Sequence, residues 1–377
     1  IKMATKNENE NGFHFVNLVN NQIHQYEQEI LDNSQVASKI VEHMFDAYSF
    51  QNPHNKPFVP CAHPRSIRRK DLSFIQSNVN EFIVGEKTDG IRAFCMIEEI
   101  NNENMFVAFI TRSFQLILPQ NIDVSKIDEY FIVPKLSMPE LASIVGTFFD
   151  GELVLDSFVW TAFDTILFQQ NSMLQYPFRE RFDVIKNNIQ IVEEFIQLKY
   201  LTSSKKKQWF PLSKINIVWQ KIKDERDIDG LIFIHLPSPL TNGIQAHMYK
   251  WKEGHTVDLY WADTLYVGDK HKIYNFVERC NASIFIDEST FPEPICTNFD
   301  GNPSLSEILE VAIIVECKIS ISNIDNQNVI EVTFVKERND KPTANDWVTV
   351  SRTLETILEN IRISTIVPIE NQRKRKL

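Results

Sequence analysis

Apolar residues along the chain follow two periods. Between residues 21 and 48, Ile23, Tyr26, Ile30, Leu31, Val36, Ile40, Val41, Met44 and Phe45 recur at roughly helical spacing, and Asn33 and Ser34 offer a break between two helices. The Pro-rich stretch at 53–64 predicts an extended connector, because proline and the residue before it leave the helical region. Short apolar runs of β character follow: EFIVGEK, RAFCMI, NMFVAFITR, GTFFDGELVL and FVWTAFDTILF. Helical patterns interrupt them near 179–198 and 212–223. After DGLIFIHL and AHMYKWKEG comes a second β-rich region at 258–350, with TVDLYWAD, ASIFID, AIIVECKIS and VIEVTFVKE as its strands. A closing helix at 351–365 carries Leu354, Ile357 and Leu358 on one face and is expected to pack back on the first domain.

A chain of 377 residues exceeds the usual size of one domain, so two are expected. The pattern sets them at 21–257 and 258–350, after a flexible polar N-terminus at 1–20 and before a basic tail at 366–377. The tail's Arg373-Lys374-Arg375-Lys376 reads as a solvated terminus. Either Met3 is the natural start or the chain is a piece of a longer polypeptide. Cys61, Cys95, Cys280, Cys296 and Cys317 lie far apart, without a CxxC pair or a His cluster, and are expected to be reduced, mostly buried thiols of an intracellular protein. No apolar run reaches the ~18 residues that span a bilayer, so no membrane partner is expected. A net charge of -11 argues against a protein that coats nucleic acid through a basic face, but leaves room for one RNA end at a locally basic site.

The chemistry begins at Lys87-Thr88-Asp89-Gly90-Ile91-Arg92, which follows the strand-like Phe82-Ile83-Val84. A lysine there becomes a nucleophile once its amine is freed of its proton. The bland alternative is a surface turn with Lys87 solvated. The glycine spacing of Gly85 and Gly90 imitates a phosphate-binding loop, but no Lys-Ser or Lys-Thr follows Gly90. GxSxG, HExxH and GxGxxG are also missing. What does recur is a set of short segments: Asp150-Gly151-Glu152, Phe163-Asp164, Asp229-Gly230-Leu231-Ile232-Phe233, Lys250-Trp251-Lys252 and Arg338-x-Asp340-Lys341. Taken singly, Asp-Gly is a turn signal, Phe163 is core, and KWK is a strand edge with its lysines in water.

In their order, from about residue 60 to 358, these segments resemble the motifs of the covalent nucleotidyltransferases, which include mRNA capping guanylyltransferases and polynucleotide ligases. The details are similar to a capping enzyme: HPRSIRRKDLSFI before the lysine, DGLIF where ligases more often carry Glu-Gly, KWKEGHTVDL, and KERNDKPTAN. The resemblance implies an α/β (α+β) fold, with a nucleotidyltransferase domain of antiparallel sheets and helices followed by an OB-fold β-barrel domain. It also implies a two-step reaction: Lys87 takes GMP from GTP, and the 5′-diphosphate end of an RNA then removes it as a GpppN cap. The alternative is an ATP-dependent DNA or RNA ligase with a lysyl-AMP intermediate. A non-catalytic scaffold of the same fold is disfavoured by the intact Lys87, Glu152, Asp229, Lys250 and Lys252.

A free lysine has a pKa near 10.4, so only about one in a thousand is neutral at pH 7.4. Asp89 alone would favour the charged form, so nearby cations or a metal must activate Lys87. By resemblance Arg92 and Glu152 would contact the ribose, Phe163 and Ile232 would sandwich the guanine, and Lys207 would read its O6. Lys205 and Lys206 adjoin Lys207, and a solvated basic run is the bland alternative there. Arg112 would meet phosphates, Lys250 and Lys252 would grip the α-phosphate, and Asp229 would hold a metal, Mg2+ or Mn2+. Arg338, Asp340 and Lys341 would orient the leaving pyrophosphate, with Lys336 standing where the family usually has arginine. Implied partners are GTP, the RNA end, and an RNA 5′-triphosphatase, a cap methyltransferase and the transcription machinery in trans or on a longer chain. The implied location is the nucleus of a eukaryotic cell, or the cytoplasm or virion for a viral enzyme.

Overall fold

A computed structural model of the chain describes residues 13–17, 34–48, 61–119, 122–154, 157, 159–200, 203–241, 243–262, 264–268, 273, 283–293, 312–324, 327–338, 341 and 343–367. Expectations for Asp340, Cys280, Cys296, residues 1–12, the first part of the helical stretch at 21–48, most of the Pro-rich connector and the tail beyond 367 lie outside these residues. The chain divides into two compact units, one of Ile1–Arg65 and Asn78–Lys250, the other of Ser66–Ser77 and Trp251–Leu377. Strands up to residue 252 are β1 (Phe13–Asn17), β2 (Ala62–Ser66), β3 (Phe82–Thr88), β4 (Ile91–Glu99), β5 (Asn104–Thr111), β6 (Gln115–Pro119), β7 (Ile132–Pro134), β8 (Thr147–Val154), β9 (Val159–Phe168), β10 (Asn171–Ser172), β11 (Ser203–Lys206), β12 (Phe210–Pro211), β13 (Ile228–His235) and β14 (Gly243–Lys252). Beyond them come β15 (His255–Trp261), β16 (Leu265–Tyr266), β17 (Ser283–Ile286), β18 (Ile313–Ile324) and β19 (Gln327–Glu337). The described helices are α1 (Gln35–Tyr48), α2 (Leu72–Ser77), α3 (Ile127–Phe131), α4 (Pro139–Ala142), α5 (Phe178–Tyr200), α6 (Ile215–Ile222), α7 (Trp347–Glu359) and α8 (Ile363–Ile366). Among the described residues no helix is long and apolar enough to cross a membrane.

In the first unit a nine-stranded sheet runs β1-β6-β5-β4-β8-β9-β10, with β7 beside β5 and β11 beside β9. Its central strands are buried on both faces, which is why RAFCMI and MFVAFI read as unbroken apolar runs rather than alternating ones. Phe94 and Phe148 stack at 5.3 Å, and Phe109 meets the edge of Trp160 at 5.0 Å, within one core that also takes Ile185, Val192 and Ile196 of α5. Residues 13–17, expected to be flexible, instead form an edge strand on β6 with Val16 buried. The break expected near Ser34 is the cap of α1, whose Ala37 N–H donates to Ser34 Oγ at 3.1 Å. A second, five-stranded sheet runs β12-β3-β13-β14-β2.

The second unit holds the sheet β16-β15-β18-β19-β17, antiparallel except for the parallel pair β17 and β19, an order compatible with the OB-like domain expected. The expected boundary at 257/258 falls inside β15, so the division lies earlier, at Lys250 and Trp251. Asp346 caps α7 by accepting from Thr349 N–H at 2.7 Å, and Asn360 ends it in the left-handed region at φ 43°. The closing helix was expected to pack on the first domain. Its buried Val350 and Leu354, four residues apart, instead join Val257, Leu259, Val315 and Cys317 in the second unit's own core.

Candidate active site

Strands β3 and β13 pair antiparallel, with Thr88 opposite Ile228 and Lys87 opposite Gly230, so Asp229 is the extra residue of a β-bulge. A bulge re-aims a side chain out of the pleat. Both carboxylate oxygens of Asp229 lie against Lys87 Nζ, at 2.8 and 2.9 Å. The partner of Lys87 is therefore Asp229, 142 residues away, and not its sequence neighbour. Asp89 is exposed, and its backbone N–H donates to Asp227 O at 2.7 Å.

The first sheet lines up Arg92 opposite Glu152, Glu152 opposite Thr161, and Thr161 opposite Lys205. Cross-strand partners share a face. Arg92 is held by buried Asp150, with Nε on Oδ1 at 2.9 Å and Nη2 on Oδ2, and its Nη1 donates to Ala62 O at 2.6 Å. Burial raises the Glu152 carboxyl above the usual range. The charges of Lys207, Lys87 and Arg92 oppose that rise, and Asp229 adds to it. Burial lowers the Lys207 amine against the pull of Glu152 and Glu86. The two carboxylates and the two lysines therefore share one electrostatic neighbourhood. Phe163 is again a bulge residue, between Ala162 and Asp164, and its ring has the Arg92 guanidinium and Lys207 Nζ each at 5.5 Å. Ile232 stands opposite Gly85 on the second sheet.

Two Asp-Gly pairs expected as turns lie inside strands, and Gly151 shows why. A Cβ there would meet Trp160 Cζ2 at 2.7 Å, and that indole donates to Ala93 O at 2.9 Å in the buried sheet. Gly85 serves a similar close approach, since a Cβ would meet Gln208 O and the Trp209 ring at 2.9 Å. These contacts bring the segment after Lys207 against β3.

Arg112 is exposed just past β5. On β2, burial and then the charges of Arg112, Arg92 and Lys250 lower the His63 imidazole to about 4. Cys61 Sγ lies 3.6 Å from His63 Nε2, and burial pushes its thiol up to about 11, so the pair is neutral rather than a thiolate–imidazolium couple. Cys61, Cys95 and Cys317 are buried free thiols. Sequence reasoning missed Asp150 and His63 as members of this neighbourhood, although both stand within quoted segments, DGE and HPRSI.

Lys250 closes the first unit, and Lys252 ends the same strand, β14, within the second. In the second unit Arg338 Nη1 contacts Asp258 Oδ1 at 2.8 Å and Glu316 at 3.5 Å. Asn345 Oδ1 accepts from Asp258 N–H at 2.8 Å, and Asn345 N–H donates to Asp258 O at 2.7 Å. The Thr-Val-Asp end of one quoted segment is thus clipped to both ends of another. Lys341 is exposed, and Lys336 is 3.6 Å from Glu316. Among the described residues no three His, Cys, Asp or Glu side chains gather as a metal cage. Mg2+ commonly uses one or two carboxylates with substrate phosphates and water, and Asp229 beside Glu152 is a donor set of that kind.

Residues 16–254 match the family described as mRNA capping enzyme, catalytic domain. Among solved structures the chain is similar to a Lig E DNA ligase (15% identity, covering 74% of this chain and 99% of that one, TM-score 0.33). It is also similar to a mycobacterial DNA ligase D complexed with ATP and MES (13%, 75% and 96%, TM-score 0.39). A third is the ATP-dependent DNA ligase of bacteriophage T7 in complex with ATP (11%, 74% and 98%, TM-score 0.38). The matched family span covers more than half of the chain and holds Lys87, Asp229, Glu152, Phe163 and Lys207, so the chain belongs to the mRNA capping enzyme catalytic-domain family and is a covalent nucleotidyltransferase.

Proposed function

We propose that the protein is an mRNA guanylyltransferase. The observation that carries this reading is Lys87 Nζ lying 2.8–2.9 Å from the bulged Asp229 carboxylate, beside Glu152 and Lys207. In the first step the Lys87 amine attacks the α-phosphorus of GTP. The P–N bond forms, the P–O bond to pyrophosphate breaks, and the amine proton leaves with Asp229 within hydrogen-bond reach. In the second step an oxygen of the RNA 5′-diphosphate attacks that phosphorus. The P–N bond breaks, the amine recovers a proton, and GpppRNA is released.

Asp229, with Glu152 as its neighbour, would hold Mg2+ or Mn2+, which when bound would supply charge neutralisation to phosphate oxygens. The remaining roles fall to the chain's own side chains. Phosphoryl transfer rests on positioning and on cations around the phosphates, and Arg112 and Lys250 already act together on His63. By resemblance Lys252, Arg338, Asp340 and Lys341 would also bear on phosphates. Phe163, with Lys207 and Arg92 over its ring, offers a flat apolar face to a purine, and Lys207 Nζ a donor to the guanine O6. Ile232 would close the other face of the base. Arg92 and Glu152 would meet the ribose. The 5′-triphosphatase and methyltransferase steps would come from other chains or other segments, in an intracellular setting.

The test is a labelling gel. GTP radiolabelled at the α-phosphate, with Mg2+ or Mn2+, is expected to label the protein covalently, and Lys87→Ala to abolish the label. Labelling by ATP in preference to GTP would overturn the guanylyltransferase reading in favour of a polynucleotide ligase.

A further inference from the structure

Behind Lys87, strand β3 is paired on its β12 side only at Ile83 and Val84 among the described residues. Past them a groove of about 410 Å3 opens along that edge, walled by Glu86 of β3, by Lys205 and Lys206 of β11, and by Lys214, Lys221 and Glu225 around α6. Glu86 adjoins Lys87 in sequence, Lys205 stands opposite Thr161 in the row that holds Glu152, and both Glu86 and Lys205 act electrostatically on Lys207. One end of the groove therefore lies beside Lys207, which Lys205 and Gln208 of the lining flank in sequence. Four lysines face two carboxylates, and none of the four lysines forms an ion pair among the described residues. Such a concentration stands out in a chain whose net charge is -11. Ile217, 72% exposed, and half-buried Phe210 give the same groove an apolar side.

We propose that this groove is the acceptor track, taking the phosphates and bases of the RNA nucleotides that follow the 5′ end. The inference rests on the guanylyltransferase reading and adds a place for the second substrate. A cationic groove with an apolar or aromatic wall is how single strands are bound without sequence preference, by backbone neutralisation and base stacking. Unpaired lysines suit this role because they give up no partner when phosphate arrives. The track serves the second step alone, since none of the groove's four lysines is among the residues assigned to GTP.

The experiment uses the full chain and the double variant Lys214→Gln/Lys221→Gln, which keeps helix propensity while removing two charges. Label formation from GTP is expected to stay at the wild-type rate. Transfer of that label to a 5′-diphosphate RNA of about 12 nucleotides is expected to fall at least tenfold at low substrate, and transfer to a dinucleotide to stay unchanged. The slope of log affinity for the longer RNA against log salt should shrink by about 1.4. Fluorescence anisotropy of the same RNA needs no chemistry and reads the groove whichever nucleotide labels the protein, so its outcome is separable from that of the labelling gel. Wild-type transfer and binding by the variant would overturn the proposal. Equal loss with the dinucleotide, loss of the GTP label itself, or tighter lysine-dependent binding of a polyglutamate peptide than of the RNA would overturn it as well.

Discussion

At the scale of single residues, Lys87 is held by a partner that no local reading could supply. Asp89 adjoins the lysine motif but is exposed, whereas the Asp229 bulge brings a carboxylate onto Lys87. Asp229→Asn is therefore expected to slow covalent labelling by about 10²-fold or more, in the range of removing one preorganised electrostatic group, with Asp89→Asn within a few-fold of wild type. Quenched labelling time courses compare the two, and a larger defect for the Asp89 variant would sink the assignment. His63 supplies a second test. Its imidazole ordinarily titrates at 6.5, and burial with Arg112, Arg92 and Lys250 takes it to about 4. Between those values the unfolded chain holds a proton that the folded chain refuses. This contribution is thus neutral above pH 6.5 and destabilises progressively as pH falls towards 4. Melting temperatures measured across that window should drop less for His63→Gln than for wild type. Parallel curves would remove His63 from the cation cluster.

At the scale of elements, most strands and helices were legible as periods and runs, because burial imposes those patterns directly on sequence. The bulges at Asp229 and Phe163 were not, since a bulge is a choice of pairing register made by two strands distant in the chain. The same limit explains the Asp-Gly pairs: Gly151 is fixed by the Trp160 ring across the ladder, which its own neighbours do not reveal. Gly151→Ala should cost about 1–3 kcal/mol in denaturant unfolding by overpacking and also slow labelling, because Glu152 is the next residue on β8. Phe163-Asp164 joins two functions. Phe163 carries the Arg92 guanidinium and Lys207 Nζ over its ring, while Asp164 forms a fully buried pair with Arg181 of α5, Nε at 2.7 Å and Nη2 at 3.0 Å. Removing one member strands a buried charge, so Arg181→Met should cost about 3–5 kcal/mol. Asp164→Asn added to it should recover part of that loss, and additive losses in this double-mutant cycle would contradict the pairing.

At the scale of the whole molecule, chain order and structural membership part company. Residues Ser66–Ser77 precede Lys87, yet they belong with Trp251–Leu377. Their anchors are specific: Arg68 reaches Glu355 and, at 3.3 Å, Glu359 of α7, while Gln76 Nε2 donates to Thr365 O at 2.8 Å. Ile75 is fully buried on α2, which packs on α8 with its buried Ile363 and Ile366. The basic residues of HPRSIRRKD, quoted as part of a lead-in to the lysine, thus serve largely to tie an early segment into the second unit. No sequence period could show this, because the segment is short and its partners lie some 290 residues on. Ile75→Ala should therefore remove about 2–5 kcal/mol from the second unit, the cost of emptying a buried site. Hydrogen exchange measured strand by strand can locate the loss, since separate cores open as separate cooperative units. Faster exchange is expected in β15, β18 and α8, with β4 and β8 as protected as in wild type. If β4 and β8 open first, α2 belongs with the lysine-bearing unit and the division of the chain must be redrawn.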